Sequence, residues 1–426
     1  MHSVEADPSR ASLLDFRYQL FSLTDIPPDQ IEVQVGTEHF FPNDDLDAGR
    51  TLASIGIYPG DIVICRDVNG TKGQVQLHEV QQETKALGVS DLQAALEQVS
   101  LNSSNRKSVA GASSDNGHQV DSKTREFLSQ VSKYQQAVCA YEDADFQDKA
   151  RKTAPLQELR LKANDRLEKQ RKDYPTYELA LAKELLTWFK ESFFTWVNSP
   201  DCWSCGKETA LVGMAPPTDH ELKHGGSRVE QHDCQACGAT TRFPRYNDAG
   251  KLLETRKGRC GEWAQAFTLI ARAAGLRVRV VHDWTDHVWT EIYTPEGEGG
   301  GRWVHADSCE NELDKPLLYE SGWKKKLNYC VATGVDCVMD VTRRYTEDFK
   351  ALAVRRTLAE EGALQKGLAR MNEEVIAKLP IGEREEAMRK YFADVEQIGL
   401  PQASGEGLSG RQSGSQAWIN ARGEGG

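Results

Sequence analysis

The sequence predicts an α+β protein that carries a small metal-binding lobe, and three observations support this fold class. Apolar residues recur at helical spacing in residues 121–200 and again in 346–400. Three consecutive segments between 276 and 307 alternate in the manner of strands. Two C-x-x-C pairs lie upstream of these segments. We therefore expect a sheet with flanking helices and an attached four-cysteine lobe.

Charge and composition exclude several classes of protein. The 426 residues include 52 Lys plus Arg and 64 Asp plus Glu, and the net charge of −12 repels phosphate backbones, so we expect no nucleic-acid partner. No run approaches the roughly 18 apolar residues that span a bilayer, which argues against membrane insertion. The first residues lack a secretory signal, so we expect the ten cysteines in a reducing compartment, the cytoplasm and also the nucleus.

Residues 1–68 have the pattern of a small mixed domain. A helical pattern covers 8–23, and strand-like segments cover Ile31–Val35 and Asp61–Cys65. The segments "IPPDQ", "GRTLASIGI" and "GDIVIC" resemble ubiquitin in order and nearly in spacing, which implies a β-grasp fold. In that family the first strand of an N-terminal hairpin is central to the sheet, whereas here only Ser3–Ala6 can supply a strand, the second of that hairpin. We expect either a start that lies upstream or an incomplete sheet.

The other regions around the centre of the chain differ in composition. Residues 69–120 become rich in Ser, Asn and Gly, which predicts a disordered linker. Residues 121–200 are predicted to be helical, with one apolar stripe from 178 to 197. Residues 346–400 are predicted to form C-terminal helices, and the Gly/Ser-rich residues 401–426 a mobile tail. The residues that carry chemistry therefore fall in 201–345.

Four cysteines have the spacing of a structural zinc site. Cys202 and Cys205 form one C-x-x-C knuckle, Cys234 and Cys237 form another, and glycine follows each second cysteine. Four thiolates complete a tetrahedral Zn²⁺ shell with no open position. Two redox motifs or four unrelated thiols are the alternatives. Because paired knuckles are typical of metal sites, we expect structural zinc, and we do not expect the histidines of the intervening loop to be ligands.

Cys260 is the candidate nucleophile. It begins an apolar segment that ends at Ala274-Gly275, which predicts a buried helix. A thiol at a helix N-terminus lies among unpaired N–H groups at the positive end of the helix dipole, and both favour a thiolate. A buried structural cysteine is the alternative.

A base and an orienting carboxylate are predicted from the hairpin that follows. Two segments alternate as strands on either side of the Gly-rich loop 295–301. A turn centred near residue 297 would place His287 and Asp307 directly opposite each other, on one sheet face, with Cβ atoms about 5 Å apart. Cys260, His287 and Asp307 would then form a nucleophile, a base and an orienting group.

Longer motifs resemble the cytoplasmic peptide:N-glycanase family of the transglutaminase-like superfamily. The resemblance extends from about residue 179 to 345 and includes the zinc knuckles. The motifs that carry it are "RFPRYND", "LLETRKGRCGEWAQAFTLI", "DHVWTEIY", "RWVHADSCE" and "DVTRRY". A weaker resemblance follows in the tail at "GSQAWINARGEGG". It implies a papain-like catalytic core whose triad is Cys260, His287 and Asp307. It also implies sugar-facing residues at Arg279, Trp289, Glu291, Trp303 and Glu310.

The reaction implied by this resemblance is hydrolysis of the amide between N-acetylglucosamine and an Asn side chain of misfolded glycoproteins, during glycoprotein degradation. No cofactor takes part in that chemistry, and the zinc is structural. The ubiquitin-like segment implies proteasome or ubiquitin-receptor partners. Two alternatives stay open: a transglutaminase-like acyl transferase or cysteine protease with the same triad, and a non-catalytic ubiquitin-like and zinc-binding adaptor of the degradation machinery.

Overall fold

The computed structural model divides the chain into two compact units, Met1–Asn116 and Gly117–Gly426. The structure describes five strands and three helical residues of the first unit, and of the second unit it describes residues 121–296, 300–398 and 407–426. The boundary between the units lies inside the predicted linker. The helical, catalytic and C-terminal regions that the sequence distinguishes form one unit.

A five-stranded sheet forms the described part of the first unit. Its strands are β1 (His2–Glu5), β2 (Ile31–Val35), β3 (Glu38–Phe40), β4 (Ile62–Asp67) and β5 (Lys72–His78). They lie in the order β1-β5-β4-β2-β3, with β1 parallel to β5 and the other pairs antiparallel. Phe16 and Leu20, which are helical as predicted, and Val33 are fully buried. The β-grasp assignment of this unit stays a prediction.

Strand β5 contradicts two predictions: disorder throughout residues 69–120, and a sheet that lacks a central strand. The disorder prediction is wrong over Lys72–His78, which pairs with β1 on one side and with β4 on the other. The polar and apolar residues of "QVQL" alternate as a strand requires, and the ladder pairs backbone groups of β4 that a missing central strand would leave open. The rest of the predicted linker lies outside the described residues.

Helices form much of the second unit. The α-helices in its described part are α1 (Ser122–Val138), α2 (Ala144–Thr153), α3 (Leu156–Lys169), α4 (Tyr177–Trp188), α5 (Asp219–Lys223), α6 (Ala249–Thr255), α7 (Cys260–Ala273), α8 (Phe349–Ala353), α9 (Glu361–Lys378), α10 (Ile381–Ile398) and α11 (Gln416–Arg422). Short 3-10 helices cover Cys139–Glu142, Pro316–Leu318 and Thr342–Tyr345. Within the described residues, no helix has the length and apolar character needed to cross a bilayer.

Three sheets of the second unit position the candidate site. Their strands are β6 (Thr195–Trp196), β7 (Ala210–Ala215), β8 (Arg228–Asp233), β9 (Thr240–Arg245), β10 (Lys257–Gly258), β11 (Val278–Asp283), β12 (His287–Glu296), β13 (Gly300–Asp307), β14 (Glu312–Leu313), β15 (Cys330–Thr333) and β16 (Val338–Asp340). The large sheet has the order β14-β13-β12-β11-β15-β16 and is antiparallel throughout. Strands β7, β8 and β9 form an antiparallel sheet, and β6 pairs with β10 in parallel.

Helix α7 packs against the large sheet, and this packing fixes the position of the helix N-terminus. Phe267 and Leu269 are fully buried in a core shared with β11 and β12. The hydroxyl groups of Thr268 and Thr290 lie 2.7 Å apart, which links the helix to the strand that begins with His287. As predicted, the helix ends just before Gly275, which adopts a positive φ of 101°.

The helix predicted over 178–197 ends earlier than expected. Regular α-helix stops at Trp188, a π-helical turn covers Phe189–Phe193, and the chain continues as β6. The ring of Phe189 packs edge-on against those of Trp263 and Phe267, which are carried by α7. Tertiary packing of these rings, together with the ladder between β6 and β10, therefore overrides the helical periodicity of the sequence.

The prediction of a mobile C-terminal tail is wrong over residues 407–426. This segment contains α11 and folds back on itself through a hydrogen bond of 2.8 Å from the Arg411 backbone N–H to the Glu424 carbonyl. The Arg411 and Glu424 side chains are buried and paired at 2.7 Å. Residues 401–406 of the predicted tail lie outside the described part of the chain.

Candidate active site and metal centre

The candidate nucleophile lies at the start of α7. Cys260 is the first residue of that helix and is partly exposed. The Glu262 carboxylate accepts a hydrogen bond of 3.0 Å from the Arg259 backbone N–H, which caps the first turn. The thiol therefore lies where backbone N–H groups have no partner within the helix and where negative charge is favoured.

His287 and Asp307 form a buried hydrogen-bonded pair. Their Nε2 and Oδ2 atoms are 2.8 Å apart, and both side chains are at most 1% exposed. The Asp307 carboxylate also accepts hydrogen bonds from the Tyr319 hydroxyl at 3.0 Å and from the Cys309 backbone N–H at 2.8 Å. Burial alone would raise the pKa of Asp307, but the charge of His287 and these hydrogen bonds hold that pKa well below its ordinary value.

The second ring nitrogen of His287 is free for proton transfer. Its Nδ1 atom is buried and has no hydrogen-bond partner among the described residues. Burial alone would lower the pKa of His287, but the charge and hydrogen bond of Asp307 outweigh burial and raise it, and the Cys260 side chain adds to the increase. The imidazole is therefore a base held in one orientation, with the thiol close enough to influence its protonation.

The predicted register of the hairpin formed by β12 and β13 is wrong by two residues, although His287 and Asp307 form a hydrogen bond as expected. In the structure Thr290 faces Ala306, and pairing continues to Glu296 and Gly300. The loop is therefore shorter than predicted, and its centre lies at residue 298. His287 and Asp307 are diagonal rather than direct neighbours across the strands, a spacing that their side chains still bridge.

A cluster of four charged side chains joins the catalytic helix to the three-stranded sheet. Glu230 of β8 accepts from Arg259 at 2.7 Å and lies 3.3 Å from Arg245 of β9. Arg245 in turn pairs with Glu262 of α7 at 2.5 Å. Both carboxylates are almost fully buried. These crossed pairs hold the first turn of α7, and with it Cys260, against the metal-binding lobe.

The four predicted metal ligands converge. The Sγ atoms of Cys202, Cys205, Cys234 and Cys237 all lie within 4.8 Å of one another, and two of the pairs, Cys202–Cys237 and Cys205–Cys234, are 3.5 Å apart. Four sulfurs at about 2.3 Å from a tetrahedral ion would lie about 3.8 Å apart. The donor set therefore fits a metal ion with a closed shell.

The two knuckles of this site have the same backbone geometry. Gly206 and Gly238 have φ values of 69° and 72°, where a side chain would be strained. In each turn the glycine N–H donates to the carbonyl of the first cysteine at 2.9 Å. Neither His224 nor His232 belongs to the cluster: His224 contacts Asp248 at 2.6 Å, and His232 is buried in the sheet.

The five residues predicted to face a sugar all lie in the interior. Each is at most 4% exposed: Arg279, Trp289, Glu291, Trp303 and Glu310. Arg279 pairs with Glu291 at 2.5 Å and lies over the Trp303 ring at 4.2 Å. The Trp289 indole donates to the Tyr345 hydroxyl at 2.7 Å, and Glu310 binds backbone N–H groups of the C-terminal segment. Their contact with a sugar stays a prediction.

Sequence reasoning missed several residues that complete these interactions. Asp394 pairs with Arg279 at 2.6 Å and also with Arg344, and Arg344 contacts Glu291 at 2.8 Å. Tyr319 donates a hydrogen bond to the carboxylate of Asp307. The "DVTRRY" motif contains Arg344, but no local pattern marks Asp394 or Tyr319, because their partners are distant in sequence.

Comparison with known proteins yields a family match and several relatives. Residues 215–308, which include the whole triad, match the family described as Transglutaminase-like superfamily. Three proteins named peptide-N(4)-(N-acetyl-beta-glucosaminyl)asparagine amidase are similar to this chain. The Arabidopsis thaliana protein is 39% identical over 96% of this chain and 54% of its own length. The Rattus norvegicus protein is 46% identical over 68% and 45%, and the Oryza sativa protein is 39% identical over 80% and 72%.

The chain thus spans about half the length of the first two relatives and most of the third. Among solved structures, a Rad4–Rad23 complex crosslinked to undamaged DNA has a TM-score of 0.40 and 13% identity, over 69% of this chain and 63% of that one. A likeness of that size bears on neither fold nor function.

Proposed function

Because the chain belongs to the family of peptide-N4-(N-acetyl-beta-glucosaminyl)asparagine amidases, we propose that it hydrolyses the amide between an N-linked glycan and its Asn side chain. The observation that carries this proposal is the hydrogen bond of 2.8 Å between His287 and Asp307, in a site that also contains Cys260 at a helix N-terminus. These are the nucleophile, base and orienting group that acyl transfer requires.

The first half of the reaction forms a thioester. The Cys260 sulfur attacks the side-chain carbonyl carbon of the substrate Asn while His287 accepts the thiol proton. The C–N bond then breaks, and His287 returns that proton to the leaving glycosylamine. The carboxylate of Asp307 stabilises the imidazolium that exists between these two transfers, because the two side chains are in direct contact.

The second half consumes water. His287 removes a proton from a water molecule, which attacks the thioester carbonyl carbon, and the proton passes to the departing sulfur. The products are an Asp residue in the peptide, the glycosylamine and the regenerated thiol. The Tyr319 hydroxyl and the Cys309 N–H keep the Asp307 carboxylate in one orientation throughout, so the ring of His287 does not rotate away.

We propose that the five interior residues face the sugar, and we assign two of them, Glu291 and Glu310, a positioning role as well. Glu291 lies on the strand that starts with His287, and its pairs with Arg279 and Arg344 fix that strand within the sheet. Glu310 follows Asp307 and donates its N–H to that carboxylate at 3.3 Å. Through these contacts Glu291 holds the strand of His287, and Glu310 holds the carboxylate of Asp307.

The ion held by the four cysteines is proposed to be structural Zn²⁺. A closed four-thiolate shell suits Zn²⁺ and leaves no position for substrate, so the ion would supply folding energy rather than chemistry. Two ion pairs of this chain, Glu230 with Arg259 and Glu262 with Arg245, connect the lobe to the first turn of α7.

We also propose cytoplasmic and nuclear localisation and a substrate class of misfolded glycoproteins. A folded glycoprotein presents its Asn on a surface whose backbone does not enter a cleft, whereas an unfolded chain can reach the thiol at the start of α7. Contacts with the proteasome or with ubiquitin receptors are proposed for the first unit, on its resemblance to ubiquitin. Acyl transfer to an amine by the same triad is the second candidate function, and analysis of the product distinguishes it from hydrolysis.

The activity is tested with denatured glycoprotein and mass spectrometry. We expect an Asn-to-Asp mass gain with the wild-type protein and a loss of rate on the order of 10⁴-fold or more in Cys260→Ala, because the proposed thioester cannot form without the Cys260 sulfur. The matched control is Cys139→Ala, since Cys139 is exposed and distant in sequence from the triad. Substantial activity in Cys260→Ala would overturn the nucleophile assignment.

The substrate class is tested by comparing native and heat-denatured forms of one glycoprotein. We expect much faster cleavage of the denatured form, with little action on free glycan that lacks Asn. Equal rates on the two forms would show that access of an unfolded chain to the site does not limit the reaction.

A further inference from the structure

Strand β7 of the metal-binding lobe has one side that no described element covers. The strand pairs with β8 on its other side, and no described strand pairs with this one. Among the described residues, the backbone groups of Ala210–Ala215 make no hydrogen bond outside the β7–β8 ladder. A Cβ added at Gly213 would meet no described atom within 4 Å. This open side of the strand, the β7 edge, therefore presents a row of backbone N–H and C=O groups to a further strand.

The side chains of the β7 edge are apolar and exposed. Leu211, Val212 and Met214 are 57%, 52% and 55% exposed. Residues 209–217 contain no charged side chain, in a protein of which 27% of the residues are charged. Soluble proteins commonly place proline or charged side chains in an open edge strand, because an apolar edge pairs with other chains. Ala210–Ala215 contains neither, which indicates a surface that binds another chain.

A β-bulge places two of these side chains on one face of the lobe. The β7–β8 register shifts directly after Leu211, which is paired with His232. Met214, after the shift, is paired with Glu230. Glu230 and His232 lie two residues apart on β8, so they share a face, and their side chains contact each other at 3.2 Å. In a regular strand Leu211 and Met214, three residues apart, would lie on opposite faces, whereas the bulge puts both on the face of Glu230.

That face of the lobe is the one that contacts helix α7. Glu230 accepts a hydrogen bond of 2.7 Å from Arg259, which directly precedes Cys260. Neighbouring strands lie about 4.8 Å apart, so a strand added to β7 would lie about 10 Å from the backbone of β8. A few extended residues, at about 3.3 Å each, cover such a distance. A single polypeptide chain can therefore occupy the β7 edge with one segment and approach Cys260 with another.

We propose that the β7 edge binds an extended, uncharged segment of the unfolded polypeptide that bears the glycan, as an added strand. The choice of this occupant rests on the proposed function, since an unfolded substrate has free backbone groups and exposed apolar side chains and must approach Cys260. The backbone row supplies hydrogen bonds that do not depend on sequence, and Leu211 and Met214 supply apolar contact. A folded substrate, whose strands are already paired, has no such segment to offer.

The first test uses the wild-type protein and a fluorescein-labelled peptide without glycan, in which valine and threonine alternate. We expect fluorescence anisotropy to show binding, and hydrogen exchange of Ala210–Ala215 to slow on binding while β11 and β12 are unchanged. The same peptide N-methylated at every backbone nitrogen keeps its side chains but has no N–H donors, so its Kd should be about tenfold higher or more. Equal affinity of the two peptides, or unchanged exchange in Ala210–Ala215, would overturn the proposal.

The second test locates the peptide on the lobe. Leu211→Lys combined with Met214→Lys puts two charges on the β7 edge and should raise the Kd of the unmethylated peptide about tenfold or more. The matched control is Leu161→Lys on α3, at a leucine that is 65% exposed, which should bind the peptide as the wild type does.

Two outcomes of the second test would overturn the proposal. One is an unchanged Kd in the double variant. The other is a wild-type dimer without peptide binding, seen by analytical ultracentrifugation and dissociated by the double substitution, because a second copy of this chain would then occupy the β7 edge. The comparison of the two peptides needs no variant, so it stays decisive if the double variant does not fold. Since the peptide has no glycan, its binding can fail or succeed separately from deglycosylation.

Discussion

The six-stranded sheet, which carries His287 and Asp307, and the three-stranded lobe of β7–β9, whose neighbouring turns carry the four cysteines, are stabilised by different means. Strands β11 and β12 are buried along most of their length, and α7 covers the sheet. Strand β7 of the lobe is exposed along most of its length, with Leu211, Val212 and Met214 each more than half exposed. Hydrophobic burial therefore stabilises the sheet, while the lobe depends far more on its four convergent thiolates.

The buried ion pairs also differ between the sheet and the lobe. In the sheet Arg279, Glu291, Arg344 and Asp394 form a network in which every member is buried and paired. In the lobe the buried carboxylate Glu230 instead faces outward to the catalytic helix. The lobe is therefore a scaffold for one helix turn, whereas the sheet contains its own supports. Three experiments test this division of roles.

Removal of the metal is expected to have the largest effect, and to act on the lobe. Chelation should abolish protection from hydrogen exchange in β7–β9 while β11–β13 stay protected, because metal binding contributes on the order of 10 kcal/mol to folding of such sites. Cys234→Ser should reproduce this pattern, and Cys139→Ser, outside the cluster, should not. Uniform loss of protection in both sheets would show that the lobe and the sheet are one cooperative unit.

Glu291→Gln is expected to act on the sheet and to cost about 3–5 kcal/mol of unfolding free energy, because the two buried guanidinium groups of Arg279 and Arg344 then share a single carboxylate, that of Asp394. The matched control is Glu296→Gln on the same strand, whose exposed pair with Arg302 is worth about 1 kcal/mol or less. Denaturant titration measures both. Equal costs would mean that burial does not distinguish the two pairs.

This prediction has a pH dependence with a definite sign. Burial alone would raise the pKa of Glu291, but the charges of Arg279 and Arg344 lower it to about 2 from an ordinary 4.5. The stability that Glu291 contributes is therefore fully present above its unfolded pKa and is lost as pH falls from about 4.5 toward 2. The wild type should lose more stability than Glu291→Gln over that window.

Asp307→Asn should have the smallest effect of the three on free energy. It removes the charge that raises the pKa of His287, so the pKa falls and the imidazolium is lost at lower pH. The acid limb of kcat/KM, below which the imidazole is already protonated and cannot accept the thiol proton, should move downward by about 1 pH unit. The control is Asp314→Asn, an exposed carboxylate after β14. An upward shift would contradict the assigned orienting role.

The sequence was sufficient for those parts of the site whose geometry is local. A C-x-x-C knuckle or a thiol at a helix start needs only nearby residues, and the pairing of His287 with Asp307 follows from strand alternation. The predicted register was wrong because composition does not show where strand pairing ends and the Gly-rich loop begins. In the structure residues 295 and 301, which were assigned to the loop, still pair.

Other features depend on contacts that no local pattern encodes. Asp394 reaches Arg279 across more than a hundred residues of sequence. The C-terminal segment has a Gly/Ser-rich composition, which predicts mobility, yet one buried Arg411–Glu424 pair closes it. Composition averaged over a segment does not predict a single long-range ion pair. It also did not predict the strand Lys72–His78, which lies in a polar region.

The short parallel ladder between β6 and β10 has a consequence for the architecture of the chain. The Val197 N–H donates to the Gly258 carbonyl at 3.0 Å, so the polypeptide leaves for the lobe and returns from it at almost the same point. In topological terms the lobe is an insertion in the catalytic unit, and an insertion with adjoining ends does not strain its host. The loops of the lobe can therefore change in length without displacing Cys260, as long as Glu230 and Arg245 keep their pairs with Arg259 and Glu262.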